Sequence, residues 1–107
     1  MGEEAVCTSV IVAAELRHGC ARRALPELTR RIEAILAELA VLPLERPADL
    51  HYGGIRAALE VRGTVIGQND LLIAAHARAL GATVVTGNLR EFARVEGLAV
   101  ENWLAED

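Results

Sequence analysis

Gly67-Gln68-Asn69-Asp70-Leu71-Leu72-Ile73-Ala74-Ala75-His76-Ala77-Arg78-Ala79-Leu80-Gly81-Ala82-Thr83-Val84-Val85-Thr86-Gly87-Asn88-Leu89-Arg90-Glu91-Phe92 is the stretch on which the fold turns. Residues 69–80 are apolar on almost every side, the composition of a helix packed inside a domain. Asp70 stands at its start, and Gly81 supplies the stop. Residues 82–86 then read as a short buried strand, which empties into the polar loop 87–91. A carboxylate at the mouth of a buried helix, beside the loop that closes the next strand, suggests a site.

Working outward, residues 5–9 predict a strand, and Thr8 or Ser9 can cap a helix from Val10 to about Cys20, with Gly19 near its end. Pro26 suits the first turn of a second helix reaching about Leu39, with Leu28, Ile32, Ile35, Leu36 and Leu39 as its apolar stripe and Glu27 placed to pair with Arg31. Residues 41–44 read as a strand that Pro43 confines to a sheet edge. A third helix is expected over about 48–61, buried through Ile55, Ala58 and Leu59 and ended by Gly63. After the central stretch come a helical turn near Phe92, a turn at Glu96 and Gly97, and a last strand at 98–101, with Trp103 packing its end. Strands alternating with helices predict an α/β domain with a mainly parallel sheet.

The 107 residues suffice for one domain, expected to occupy 1–107 and to bury roughly 60–65% of its unfolded surface. The hydrophobic fraction is 52% but only Tyr52, Phe92 and Trp103 are aromatic, so the core is expected to be aliphatic. The lack of a membrane-length apolar run and of a basic leader at Met1 predicts a cytoplasmic protein. Cys7 and Cys20 form no Cys-x-x-Cys pair and read as small buried hydrophobes without a disulfide. A formal charge of −4 argues against a broadly basic nucleic-acid surface. All eleven basic residues are Arg, which reads as codon bias in a GC-rich genome before it reads as phosphate recognition.

In a parallel α/β sheet, ligands bind beyond the carboxyl ends of the strands. Glu15, the one charge in the apolar run 10–16, lies about two turns into the first helix. Asp70, Thr86, Asn88 and Glu91 could reach the same rim. Gathered carboxylates repel one another unless a cation lies between them, and oxygen ligands select Mg²⁺ or Mn²⁺. Each residue also has an ordinary explanation. The helix macrodipole favours Asp70 in a first turn, with Asn69 as a cap; Asn88 suits a turn; Glu15 and Glu91 could be solvated charges. His18, His51 and His76 make no metal-binding pattern, and His76 reads as a satisfied core histidine. The chemical reading rests on the set.

Residues 8–19 (Thr-Ser-Val-Ile-Val-Ala-Ala-Glu-Leu-Arg-His-Gly), 66–77 and 85–95, with Leu98 and 101–103, resemble the PIN-domain toxins of the VapC family in order along nearly the whole chain. The resemblance implies a PIN-like three-layer α/β/α fold and a Mg²⁺- or Mn²⁺-dependent endoribonuclease leaving a 5′-phosphate. It further implies inhibition by a VapB-type antitoxin and a homodimer. By position, it makes Glu15, Asp70 and Glu91 the catalytic, metal-binding carboxylates, and Thr86 and Asn88 the residues that shape the substrate pocket. Family members begin with a strand bearing an Asp in an Asp-Thr-Asn context, then a helix, and this sequence starts after both. The first, central strand is therefore expected to be missing, leaving the strands around Val6 and Val84 without their shared neighbour. A start codon upstream of Met1 is the favoured explanation. The alternative is a truncated remnant that binds antitoxin without cutting RNA. A third reading, a Mg²⁺-binding signalling module, lacks an Asp ending a strand, since Asp49, Asp70 and Asp107 are the only aspartates.

Overall fold

The computed structural model describes residues 7–102. The chain gathers into two compact units, Met1–Leu44 and Glu45–Asp107.

The first unit holds β1 (Cys7–Ser9), α1 (Val10–Arg23), α2 (Pro26–Glu38) and β2 (Ala40–Leu42). Ser9 turns strand into helix: its backbone is extended and its hydroxyl accepts the Ile11 N–H at 3.0 Å. This satisfies one of the amides a helix start leaves unpaired. Ser9→Ala is therefore expected to cost about 1 kcal/mol, read as a lower urea midpoint at unchanged m-value. The helix runs past Gly19 to Arg23, beyond the expected end at Cys20, because a glycine weakens a helix without breaking it. It stops where Ala24 turns left-handed and its N–H meets the Cys20 carbonyl at 2.9 Å.

Pro26 opens α2 as expected. Leu36 is buried and Leu28, Ile32 and Leu39 half-buried, but Ile35 is 52% exposed. Adjacent helical residues point about 100° apart, so Leu36 and Ile35 cannot both face one neighbour. Glu27 pairs with Arg30, one position nearer than the Arg31 expected. Arg17 and Glu33 join α1 to α2 at 3.1 Å, both half-exposed, an ion pair worth little. Two helices provide the length a parallel crossover needs, and β1 pairs with β2 in parallel from Cys7↔Ala40 to Ser9↔Leu42. Pro43 lies just beyond the strand. Cys20 is buried as expected, whereas Cys7, in a strand with a partner on one edge, is exposed; both thiols are free.

The second unit holds α3 (Ala48–Arg62), α4 (Gln68–Leu80), β3 (Thr83–Val85), α5 (Leu89–Phe92) and β4 (Ala99–Glu101). Its core is Ile55, Leu59, Ile66, Leu71, Ala74, Ala75, Val84, Phe92 and Val95, flanked by Tyr52, Ile73, Ala77, Leu98 and Val100. Burying Leu59 and Leu71 stabilises the unit by about 1.5–3 kcal/mol each. Ala58, expected in the core, is exposed, because the buried face of α3 is the narrow i,i+4 pair Ile55 and Leu59.

The helix α4 starts one residue earlier than expected, with Gly67 rather than Asn69 as its cap. It is also less enclosed than its composition implied: Leu71, Ala74, Ala75 and His76 are buried, but Leu80 is 54% exposed. At its end Gly81 takes φ 68°, a left-handed conformation costly for other residues, and Ala82 N–H reaches back to the Ala77 carbonyl at 2.9 Å. β3 then pairs in parallel with β4, Thr83↔Ala99 to Val85↔Glu101. Among the described residues each sheet is two-stranded, β1 with β2 and β3 with β4, and no strand joins β1 to β3. That is the break expected between the strands around Val6 and Val84, although Val6 itself, like Trp103, lies outside the described residues.

Arg78 ties this unit together. Its Nε donates to His51 Nδ1 on α3 at 2.9 Å and a terminal nitrogen donates to the Glu96 carbonyl at 2.8 Å. Gly97, at φ 78°, lets the guanidinium stem approach: a Cβ there would sit 3.5 Å from Arg78 Cδ. Arg78→Ala is expected to cost about 1–2 kcal/mol, the worth of hydrogen bonds from a charged group that is part-buried, and thermal denaturation measures it. On α3, Arg56 donates to the Tyr52 hydroxyl at 3.0 Å and to Glu60 at 3.1 Å. The Tyr52 bond, then the Glu60 bond, raise its pKa above the usual guanidinium value. No helix among the described residues is long and apolar enough to cross a membrane.

Candidate functional site

The helix α4 delivers Asp70 in its first turn, half-buried, where the N-terminal end of the helix favours a negative charge. Gly67 precedes it, and a Cβ at that position would lie 3.8 Å from Asp70 Oδ2, an ordinary contact. The opposing side of the rim is the loop after β3. The Thr86 backbone N–H donates to the Glu101 carbonyl at 3.0 Å, carrying the strand ladder one residue past β3. Its hydroxyl accepts the Asn88 backbone N–H at 2.9 Å, fixing a tight turn through Gly87. So placed, Asn88 Nδ2 donates to Asp70 Oδ2 at 3.5 Å, at the long end of a hydrogen bond. Glu91 follows on α5, half-buried, beside Phe92, which anchors that helical turn in the core.

Of the residues singled out from the sequence, Asp70 and Asn88 touch and Thr86 holds the turn that brings them together. Glu91 stands one turn further along the chain. Glu15 belongs to the first unit, exposed on α1. His76 is buried and partnered, as a core histidine should be. Two participants escaped the sequence reading. Gly67 could have been noticed as a helix cap, but the Glu101 carbonyl, a backbone group 15 residues from Thr86, left no signal.

Among the described residues, no three His, Cys, Asp or Glu side chains gather closely enough to hold a metal. The donors at the rim are nonetheless of the right kind for a hard cation, a carboxylate beside a carboxamide. Mg²⁺ keeps several waters and is commonly held by one or two carboxylates, so this donor set fits such an ion in chemistry.

A PIN domain model matches residues 1–98. Ribonuclease VapC2 of Haemophilus influenzae is 43% identical over 100 residues, covering 92% of this chain and 76% of that protein. The tRNA(fMet)-specific endonuclease VapC of Salmonella typhimurium is 40% identical over 99 residues, covering 92% and 75%. Among solved structures, VapBC2 from Rickettsia felis bound to a DNA fragment from its promoter has a TM-score of 0.88 at 38% identity, covering 92% of this chain and 75% of that one. DNA-bound VapBC from Salmonella typhimurium gives 0.86 at 41%, covering 91% and 74%. The PIN-like α/β fold expected from the sequence is the observed one, and the chain belongs to the PIN-domain family, as a toxin subunit of its VapC-type toxin-antitoxin proteins.

Proposed function

We propose that this chain is a divalent-metal-dependent endoribonuclease, held in check by a VapB-type antitoxin and working in the cytoplasm as a homodimer. The observation that carries the reading is the rim of the second unit, where Asp70 at the start of α4 meets Asn88 in the loop after β3, in a chain of this family. Asp70 and Glu91, both in the second unit, are the carboxylates proposed to serve Mg²⁺ or Mn²⁺. A divalent ion bound there supplies Lewis acidity and a bound water of lowered pKa. The chain's own contribution is electrostatic and positional. The carboxylates would hold the cation and so favour the approach of a phosphodiester. Thr86 keeps the turn closed and Asn88 lines the rim, both shaping the place where RNA would lie.

The relatives named as ribonucleases, and the solved toxin-antitoxin assemblies bound to DNA, support the reading. Its test is direct. The purified protein incubated with single-stranded RNA and with tRNA is expected to cut in Mn²⁺ or Mg²⁺ and to stop when EDTA is added. Cleavage that ignores the chelator, or no cleavage with either metal, would overturn it. Retained binding to a co-expressed antitoxin alongside absent cleavage would point instead to a binding-only remnant.

A further inference from the structure

The first unit carries a charge pattern that neither its packing nor the rim of the second unit uses. Residues 17–31 hold five of the eleven arginines, Arg17, Arg22, Arg23, Arg30 and Arg31, against one acid, Glu27, in a chain whose formal charge is −4. The fold gathers them toward the closed end of the α1–α2 hairpin, where Ala24 and Leu25 join the helices and the Ala24 N–H is tied to the Cys20 carbonyl at 2.9 Å. Arg22 and Arg23 lie in the last turn of α1, and Arg31 follows Pro26 in the second turn of α2, so these charges sit within about 8 Å of the hairpin end along the helix axes. From this juxtaposition we infer that the closed end of the hairpin is a docking surface for single-stranded RNA, gripping its phosphates through Arg22, Arg23 and Arg31. The inference deepens the nuclease reading and rests on it for the identity of the polyanion.

Two of the five arginines are already engaged: Arg17 pairs with Glu33 at 3.1 Å across the hairpin, and Arg30 pairs with Glu27. Arg22, Arg23 and Arg31 are exposed and have no ion-pair partner among the described residues. The macrodipole favours cations in the last turn of α1, but Arg31 lies in the N-terminal half of α2, where it gains nothing from the dipole. Helix stability therefore does not account for the set. Neighbouring helical residues diverge by about 100°, so Arg22 and Arg23 fan outward instead of converging on one point. A single small anion needs convergent donors, whereas a strand with a charge on every residue meets divergent ones in any register. The guanidinium group suits such a strand, because it pairs with phosphate through two parallel N–H donors and stacks on exposed base faces. On an acidic chain the remaining surface repels RNA, which concentrates binding where the arginines stand.

The test reads RNA binding apart from cleavage. Anisotropy of a labelled, mixed-sequence single-stranded RNA is followed in EDTA with the intact chain, over a tenfold range of NaCl concentration. Arg22→Gln, Arg23→Gln and Arg31→Gln together are expected to make the slope of log K against log salt shallower by about 2, three phosphate contacts at about 0.7 each, so that the loss of affinity is about 100-fold larger at the low-salt end than at the high. Arg22→Lys, Arg23→Lys and Arg31→Lys keep the charge and are expected to keep the slope, which separates charge from damage to the hairpin. Arg46→Gln, at an exposed arginine of the second unit, is expected to leave the slope unchanged. A wild-type slope in the Gln triple variant overturns the inference and leaves the nuclease reading standing; loss of a co-expressed antitoxin by that variant would then give the surface to a protein partner. An equal loss per charge at Arg46, or no RNA binding by wild type, overturns it too. Wild-type protein that binds RNA through these arginines yet cuts none in Mn²⁺ or Mg²⁺ sinks the nuclease reading alone.

Discussion

Asp70→Asn is expected to reduce metal-dependent RNA cleavage about 10²–10⁴-fold while the protein keeps its fold. The loss follows from charge. Asn matches Asp in shape and can still face Asn88, but it removes the negative charge that would hold a hard cation, and losing a preorganised electrostatic contact at a reacting centre costs rates of this order. The fold is expected to persist because the helix is seated by Leu71, Ala74 and Ala75, while the charge of an acidic residue at a helix start is worth about 0.3–1 kcal/mol. Initial rates of RNA cleavage in Mn²⁺, beside thermal unfolding of the same preparations, separate the two effects. An Asp70→Asn protein that cuts as fast as wild type would remove Asp70 from the chemistry.

Leu59→Ala is expected to destabilise the protein by about 2–5 kcal/mol, which for a chain of this size lowers the melting temperature by roughly 10–30 °C. Leu59 is 1% exposed and sits in the core where α3 meets α4. Truncation there removes buried methyl groups and leaves a cavity that two packed helices cannot readily close. Leu50, on the same helix but 74% exposed, is the control: Leu50→Ala should stay within about 0.5 kcal/mol of wild type. Calorimetry of the pair reads the difference, and equal effects would mean that the α3–α4 contact is not where stability resides.

Most elements were legible because their signals are local. Ser9 caps α1, Pro26 opens α2, and Gly63 and Gly81 end α3 and α4, each acting through backbone geometry within a few residues. Two of the errors share an origin. Ile35 and Ala58 are apolar residues at helical spacing, yet both lie outside the buried face, because the sequence states which side chains are oily and not how wide a strip the neighbouring helix covers. Cys7, also expected inside, is exposed because its strand has a partner on one edge among the described residues.

The candidate site divides along the same line. Asp70, Thr86, Asn88 and Glu91 were recognisable as polar residues where an α/β chain places its ligands, at strand ends and helix starts. Their juxtaposition was not: Asn88 meets Asp70 across 18 residues, and Arg78 reaches His51 across 27. Sequence alone determined the order of helices and strands, the parallel pairing and the family, since caps, periodicity and motif order are written in neighbouring residues. Only the tertiary structure decided that Asn88 donates to Asp70, that Thr86 leans on the Glu101 carbonyl and that Arg78 staples α3 to the turn before β4. Those contacts depend on how far apart packed elements come to rest, a distance set by side-chain volume summed over a whole core rather than by any local stretch of chain.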